Sequence, residues 1–236
     1  MAPNNLLPQP LSPCCPGRVS QIVALLVLVL SSLASNAYAD QMPIGEYVRN
    51  LESSYKNVRS LDSKFTQTYD WGNRSRVESG TVVFARGGKM RWDYREPQEK
   101  LFASDGKHVI LYIPEEKQMT RMPVKSSEDV RVPFRLLLSR IDLHKVFGKI
   151  EFAEEDLKAP PENHVLRAIP KGGDDSGIHE VLLEITPEFD IRQLVVVYAD
   201  LSRMSFVFQE TKRNTEIKPE MFEFRPPSGT QIIDQK

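Results

Sequence analysis

GGKMRWDYREP, Gly87–Pro97, is the stretch that decides the fold. Met90, Trp92 and Tyr94 fall on every second residue, with Lys89, Arg91, Asp93 and Arg95 between them. In an extended strand, residues two apart share a face. Lys89–Tyr94 therefore reads as a strand with three large apolar side chains on one side and charges on the other. Arg86-Gly87-Gly88 is the turn before it.

The same period of two extends outward from this strand. Upstream, Phe65–Tyr69 and Thr81–Ala85 are strand candidates around a Gly72-Asn73 turn. Downstream, Leu101–Ser104 and His108–Ile113 flank Asp105-Gly106, a strong hairpin signal, and Met119–Met122 continues the meander. Lys125–Arg131 is polar and reads as loop. Phe134, Leu137, Leu138 and Ile141 then recur at helical spacing. Strands resume at Lys149–Ala153, Val165–Ile169, Val181–Thr186, Leu194–Tyr198 and Ser205–Thr211. Before all of these, Ile44, Tyr47, Val48, Leu51 and Tyr55 make a one-sided helical stripe behind Pro43. Together these elements predict one α+β domain of about ten antiparallel strands, an N-terminal helix and one central helical excursion.

Residues 1–39 read as a leader rather than as part of that domain. Arg18 is the only charge before Asp40 and precedes the apolar run QIVALLVLVLSSL, Gln21–Leu33. The small-x-small triplet Ala37-Tyr38-Ala39 follows. This order describes a cleaved secretory signal, and the run is shorter than the roughly 20 residues of a membrane span. The expectation is an exported protein with a leader over 1–39 and a single domain over 40–236. Cys14 and Cys15 would leave with the leader, so the mature chain has no disulfide, thiol nucleophile or cysteine metal site.

Charge excludes one class of partner. The leader removes a single basic residue from the 31 Lys+Arg of the chain, which face 32 Asp+Glu. Charges of both signs are interspersed, and there is no basic stripe of the kind nucleic acid needs. Catalytic motifs are equally sparse. His108, His144, His164 and His179 stand apart, with no metal-ligand spacing. There is no Gly-x-Ser-x-Gly elbow and no phosphate-cradling loop. Glu154-Glu155-Asp156 reads as a solvated loop.

What remains is apolar surface. Met90/Trp92/Tyr94, Val109/Leu111/Ile113, Val181/Leu183/Ile185, Leu194/Val196/Tyr198 and Met204/Phe206/Phe208 are one-face triplets on five candidate strands. Two readings stand. In one, the sheet and the two helical segments form a closed core. In the other, a curved sheet has a greasy concavity, under a lid formed by Phe134, Leu137, Leu138 and Ile141, that takes acyl chains.

Four motifs in order, from about Tyr47 to Asp234, resemble the periplasmic outer-membrane lipoprotein carrier family, LolA. They are Phe65-Thr66-Gln67, Phe84 through Trp92, Ser104-Asp105-Gly106-Lys107 followed by Leu111-Tyr112-Ile113-Pro114, and Phe222-x-Phe224-x-Pro226-Pro227-x-Gly229. Gly87 stands where that family usually has Pro.

The resemblance implies a strongly curved antiparallel sheet, an incomplete β-barrel closed by a helical lid. It implies a monomeric periplasmic chaperone that binds lipoprotein acyl chains. Such a carrier takes them from an ATP-driven inner-membrane release complex and delivers them to an outer-membrane acceptor lipoprotein. It implies no enzyme activity, cofactor or metal. On this basis Met90, Trp92, Leu111, Leu183, Val196, Phe206 and Phe208 are the expected cavity lining. Arg86, which matches a family Arg, is the expected lid latch. Alternation alone does not fix the pleat, so Met90 and Tyr94 packing outward on the N-terminal helix is the alternative. The rival function is a periplasmic lipid- or lipoprotein-binding sensor of the same fold. Such sensors carry a second domain, and this chain stops at Lys236 soon after its Pro-Pro-x-Gly motif.

Overall fold

Period-two alternation governs most of the chain after residue 60, and the alternating runs are strands. The structure, a computed structural model, describes residues 42–126, 142–172 and 177–235. The leader and the segment with Phe134, Leu137, Leu138 and Ile141 lie outside these residues. Helix α1 is Ile44–Tyr55, and its buried residues Tyr47, Val48, Leu51 and Tyr55 are those of the sequence stripe. Pro43 occupies its N-cap, where a missing N–H is harmless.

Among the described residues there are twelve strands in one sheet. The first meander is β1 Ser60–Trp71, β2 Arg74–Ala85, β3 Lys89–Glu96, β4 Lys100–Asp105, β5 His108–Ile113 and β6 Gln118–Pro123. The short helix α2, Leu143–Val146, leads into the second. That meander is β7 Phe147–Phe152, β8 His164–Pro170, β9 Ile178–Ile185, β10 Ile191–Tyr198 and β11 Arg203–Arg213, and β12 Gln231–Asp234 ends the series. The order across the sheet is β12-β6-β5-β4-β3-β2-β1-β11-β10-β9-β8-β7. The two meanders are joined where β1 pairs with β11, with Phe65 opposite Phe208 and Gln67 opposite Phe206. β7 and β12 remain as edges, so the sheet is an open, incomplete barrel.

The sheet bends strongly toward one face. In a flat sheet, β1 and β3 would be about 9.5 Å apart with β2 between them. Yet the rings of Phe65 and Trp92 meet edge to face with centroids 4.8 Å apart. The concave face so formed carries the main apolar cluster, which includes the buried side of α1. On the opposite face of β9 and β10, Leu182, Val195 and Val197 form a second small cluster under Leu157. These two strands are therefore buried on both sides, as their unbroken runs Leu182-Leu183 and Val195-Val196-Val197 permit.

Three sequence expectations are corrected. The strand count is twelve rather than about ten. β2 begins at Arg74, because the polar run Arg74–Ser79 is held by pairing to β1 along its whole length. The strands are not all antiparallel: β12 comes from the tail, and pairs parallel with β6, Ile232 opposite Met119.

Candidate functional site

The residues singled out from alternation gather on the concave face. Met90, Trp92, Leu183, Phe206 and Phe208 are buried members of its cluster, and Leu111 packs against it from a half-buried position. Val196 stands opposite Val181 on β9 and Met204 on β11, which places it on the same face. Met90 and Tyr94 belong to this cluster with Trp92, so the pleat of β3 turns all three inward.

Trp92 is the hub. Besides Phe65, its ring lies 5.5 Å from Phe84, 5.4 Å from Phe206 and 6.3 Å from Phe208, centroid to centroid. Sequence reading did not assign Phe65 and Phe84 to this site, although both lie in the motif segments. Gly80 makes the packing possible. It stands between Phe65 on β1 and Tyr94 on β3, and the two rings meet above it at 4.9 Å. A Cβ at Gly80 would fall 2.0 Å from the Asp93 carbonyl oxygen, at the bulge in the β2–β3 pairing. Rings and backbone close in here because the position has no side chain.

The apolar trough is bounded at both ends along β1–β4. At one end lies the β2–β3 turn with Arg86. Arg86 Nε donates to the Val58 carbonyl at 2.9 Å, and a terminal guanidinium nitrogen donates to the Lys56 carbonyl. Lys56 is the C-cap of α1, so Arg86 clasps the end of the helix to the sheet. These are the partners of its guanidinium among the described residues, and its backbone N–H donates to the Arg59 carbonyl at 3.2 Å. The expected bond to the lid involves residues outside them.

At the other end is a polar belt that the sequence did not reveal. Glu78 is buried, yet receives Lys100 Nζ at 2.8 Å on both oxygens and Arg76 at 2.7 Å. Gln67 Nε2 reaches Glu78 at 3.5 Å and the Met204 sulfur at 3.2 Å. The Tyr94 hydroxyl donates to Gln67 Oε1 at 2.6 Å, and Lys100 Nζ sits 4.2 Å above the Tyr94 ring. Between the Leu61–Phe84–Met90 row and the Gln67–Glu78 row, the trough is about 20 Å long at strand rise.

Helix α1 covers the second-meander side of the trough. Tyr47 packs on Phe152, His164 and Phe189. Its hydroxyl is buried without a hydrogen-bond partner among the described residues. Burial first, and the Glu154 carboxylate second, push its pKa up to about 12. Tyr55 is held differently: its hydroxyl accepts the Ile191 N–H at 3.1 Å, and the Arg213 guanidinium lies 5.0 Å over its ring.

Relatives with this sequence pattern are known. The outer-membrane lipoprotein carrier protein of Nitrosospira multiformis is 28% identical over 191 residues, 80% of this chain and 88% of that one. That of Pseudoalteromonas translucida is 29% identical over 216 residues, 89% and 95% of the two chains. A solved structure of an uncharacterized conserved protein from Thermus thermophilus shares the fold, with a TM-score of 0.51 at 13% identity, over 81% of this chain and 98% of that one. The family model for outer membrane lipoprotein carrier protein LolA matches residues 56–225, from the end of α1 to the closing Phe-x-Phe-x-Pro-Pro segment, and the chain belongs to that family.

Proposed function

We propose that this chain is a periplasmic carrier that shields the acyl chains of lipoproteins in the concave trough. It receives them from an ATP-driven complex at the inner membrane and hands them to an acceptor at the outer membrane, without chemistry and without a cofactor. Residues 1–39 act as the export signal and are removed. The observation that carries the reading is the trough itself: a ring-lined apolar face of an open sheet, floored by Trp92, Phe206, Phe208, Phe65 and Met90. Family membership and relatives called outer-membrane lipoprotein carriers support it.

The physical demands of such a carrier fit these side chains. Each buried acyl methylene is worth about 0.8 kcal/mol, so a shielded chain binds without polar anchors. Release without a nucleotide needs contacts that are broad and weakly specific, and rings and thioethers supply these. The floor residues are buried in this structure. Loading therefore exchanges protein packing for acyl packing, and the net affinity stays below the gross value.

Mass spectrometry of what copurifies with the mature protein from the periplasm tests the reading. Acylated lipoprotein N-termini are the expected finding. A protein free of acylated species that also fails to accept lipopeptide from vesicles would overturn it.

A further inference from the structure

The Arg86 end of the trough gathers cations that have no counter-ions. Four segments meet there: Lys56–Arg59 after α1, Arg86–Gly88 between β2 and β3, Asp105–Lys107 between β4 and β5, and Val124-Lys125 after β6. Close backbone approaches tie each to the next. The Arg86 N–H donates to the Arg59 carbonyl at 3.2 Å, and the Val124 N–H donates to the Lys107 carbonyl at 2.9 Å. A Cβ on Gly106 would fall 2.2 Å from the Gly87 carbonyl oxygen, so those two turns touch. Lys56, Arg59, Arg86, Lys107 and Lys125 are all exposed, and none is in an ion pair among the described residues. Asp105 is the one carboxylate on these segments. It is turned onto its own loop, where it accepts the Lys107 and His108 N–H groups at 2.7 Å and lies 3.7 Å from the His108 ring.

Going beyond the carrier reading, we propose that this end of the sheet is a docking surface for an anionic phospholipid bilayer. The segments follow one another across the ends of β1 to β6, so their cations form a row about 20 Å long at the spacing of strands, not a pocket. A row without depth suits a flat layer of phosphates, which attracts through its field and not through fit. A shaped protein partner would be anchored by apolar side chains, and none of the large exposed hydrophobic residues lies on these segments. The second meander finishes the same end with Glu154, Glu155, Glu162 and Glu188, all exposed. The end is therefore polarised: its first-meander half faces the bilayer, and repulsion tilts the acidic half away. Docked in this way, the trough opens beside the headgroups, and an acyl chain crosses the least water on its way between bilayer and protein.

Cosedimentation of the unloaded mature chain with vesicles tests the docking. One set of vesicles is phosphatidylcholine alone, and the other contains about a third phosphatidylglycerol. Binding is expected to the anionic set only, and it should weaken at least about tenfold between about 0.05 and 0.5 M salt as screening sets in. At about fivefold per cation, Lys56→Gln/Lys107→Gln/Lys125→Gln should bind about a hundredfold more weakly. Its melting temperature should match that of wild type, because all three side chains are exposed. Lys117→Gln/Lys145→Gln/Lys171→Gln removes the same charge from exposed positions at the opposite end of the sheet, farther than a Debye length away, and should bind within about twofold of wild type. Absence of binding to the anionic vesicles, equal loss in the two triple variants, or salt-sensitive self-association in place of vesicle binding overturns the docking. Lipopeptide uptake from neutral vesicles is measured alongside. Uptake without anionic binding removes the docking alone, and anionic binding without uptake removes the carrier reading alone.

Discussion

Trp92 on β3 and Phe206 on β11 lie three strands apart, yet their ring centroids are 5.4 Å from each other. Across a flat sheet, that separation would be about 14 Å. The contact exists because β3, β2, β1 and β11 curl around the trough and point their large side chains at its axis. The rings that fill the inside of the bend are the surface on which the proposed carrier role depends.

Removing one of these rings tests that geometry. Phe206→Ala should cost about 3–5 kcal/mol of stability, as for buried aromatics elsewhere, and red-shift the emission of Trp92. Urea denaturation and fluorescence of the folded state measure both. A cost of less than about 1 kcal/mol would mean that the face is loosely packed and that Trp92 does not depend on it.

Gly80→Ala carries the opposite kind of fault. The added methyl would sit 2.0 Å from the Asp93 carbonyl, so β2 and β3 must separate and the Phe65–Tyr94 contact must open. The expected loss is about 1–3 kcal/mol, read as a lowered melting temperature. Phe65→Leu should already have given up that ring contact, so the two losses should sum to more than the double variant shows. Full additivity would remove Gly80 from the account of the aromatic cluster.

The Tyr47 hydroxyl gives a pH-dependent test. Tyr47→Phe removes a buried polar group without a partner among the described residues, so at neutral pH the variant should be equal to wild type or about 1 kcal/mol more stable. The fold holds the neutral phenol. The stability tied to that preference is complete below the unfolded phenol's pKa of about 10, and is lost as pH rises through about 12. The advantage of Tyr47→Phe should therefore grow in alkaline urea titrations. A constant difference from neutral to about pH 11 would contradict the shift.

Arg86→Leu loses both bonds from the β2–β3 turn to the end of α1. The Lys56 carbonyl is at the surface and can turn to water, whereas the bond to Val58 is part-buried, so the cost should be about 1–2 kcal/mol. Hydrogen exchange at the C-terminal end of α1 should quicken, and lipopeptide uptake should change because α1 covers part of the trough. Arg86→Lys can reach one carbonyl at a time and should recover part of the loss. Unchanged exchange in α1 would show that the clasp is dispensable.

Much of this was legible in the sequence because period-two alternation is a local signal. The helix stripe from Ile44 to Tyr55, the Asp105-Gly106 hairpin and the one-face triplets that contain Met90 and Trp92, Leu183, and Phe206 all follow from spacing. Features that depend on the partner strand were not. Arg74–Ser79 has no apolar rhythm and is a strand because β1 pairs with it. The tail strand Gln231–Asp234 is too short to read and is defined by β6. The polar belt was invisible for the same reason: Gln67, Glu78 and Lys100 come from three strands, and each alone is an ordinary surface residue. The pleat needed register as well, since alternation says which residues share a face and not which face is concave.

The most direct test of the central claim is photocrosslinking of a diacylated lipopeptide with a photoreactive group on its acyl chain, followed by peptide mapping of the adducts. If the concave face carries the cargo, adducts should fall on inward residues of β1, β3 and β11, with Phe65, Trp92 and Phe206 among them. They should diminish when unlabelled lipopeptide competes. Competable adducts on the outer face, around Leu182, Val195 and Val197, with the Trp92 peptide unmodified, would contradict the account.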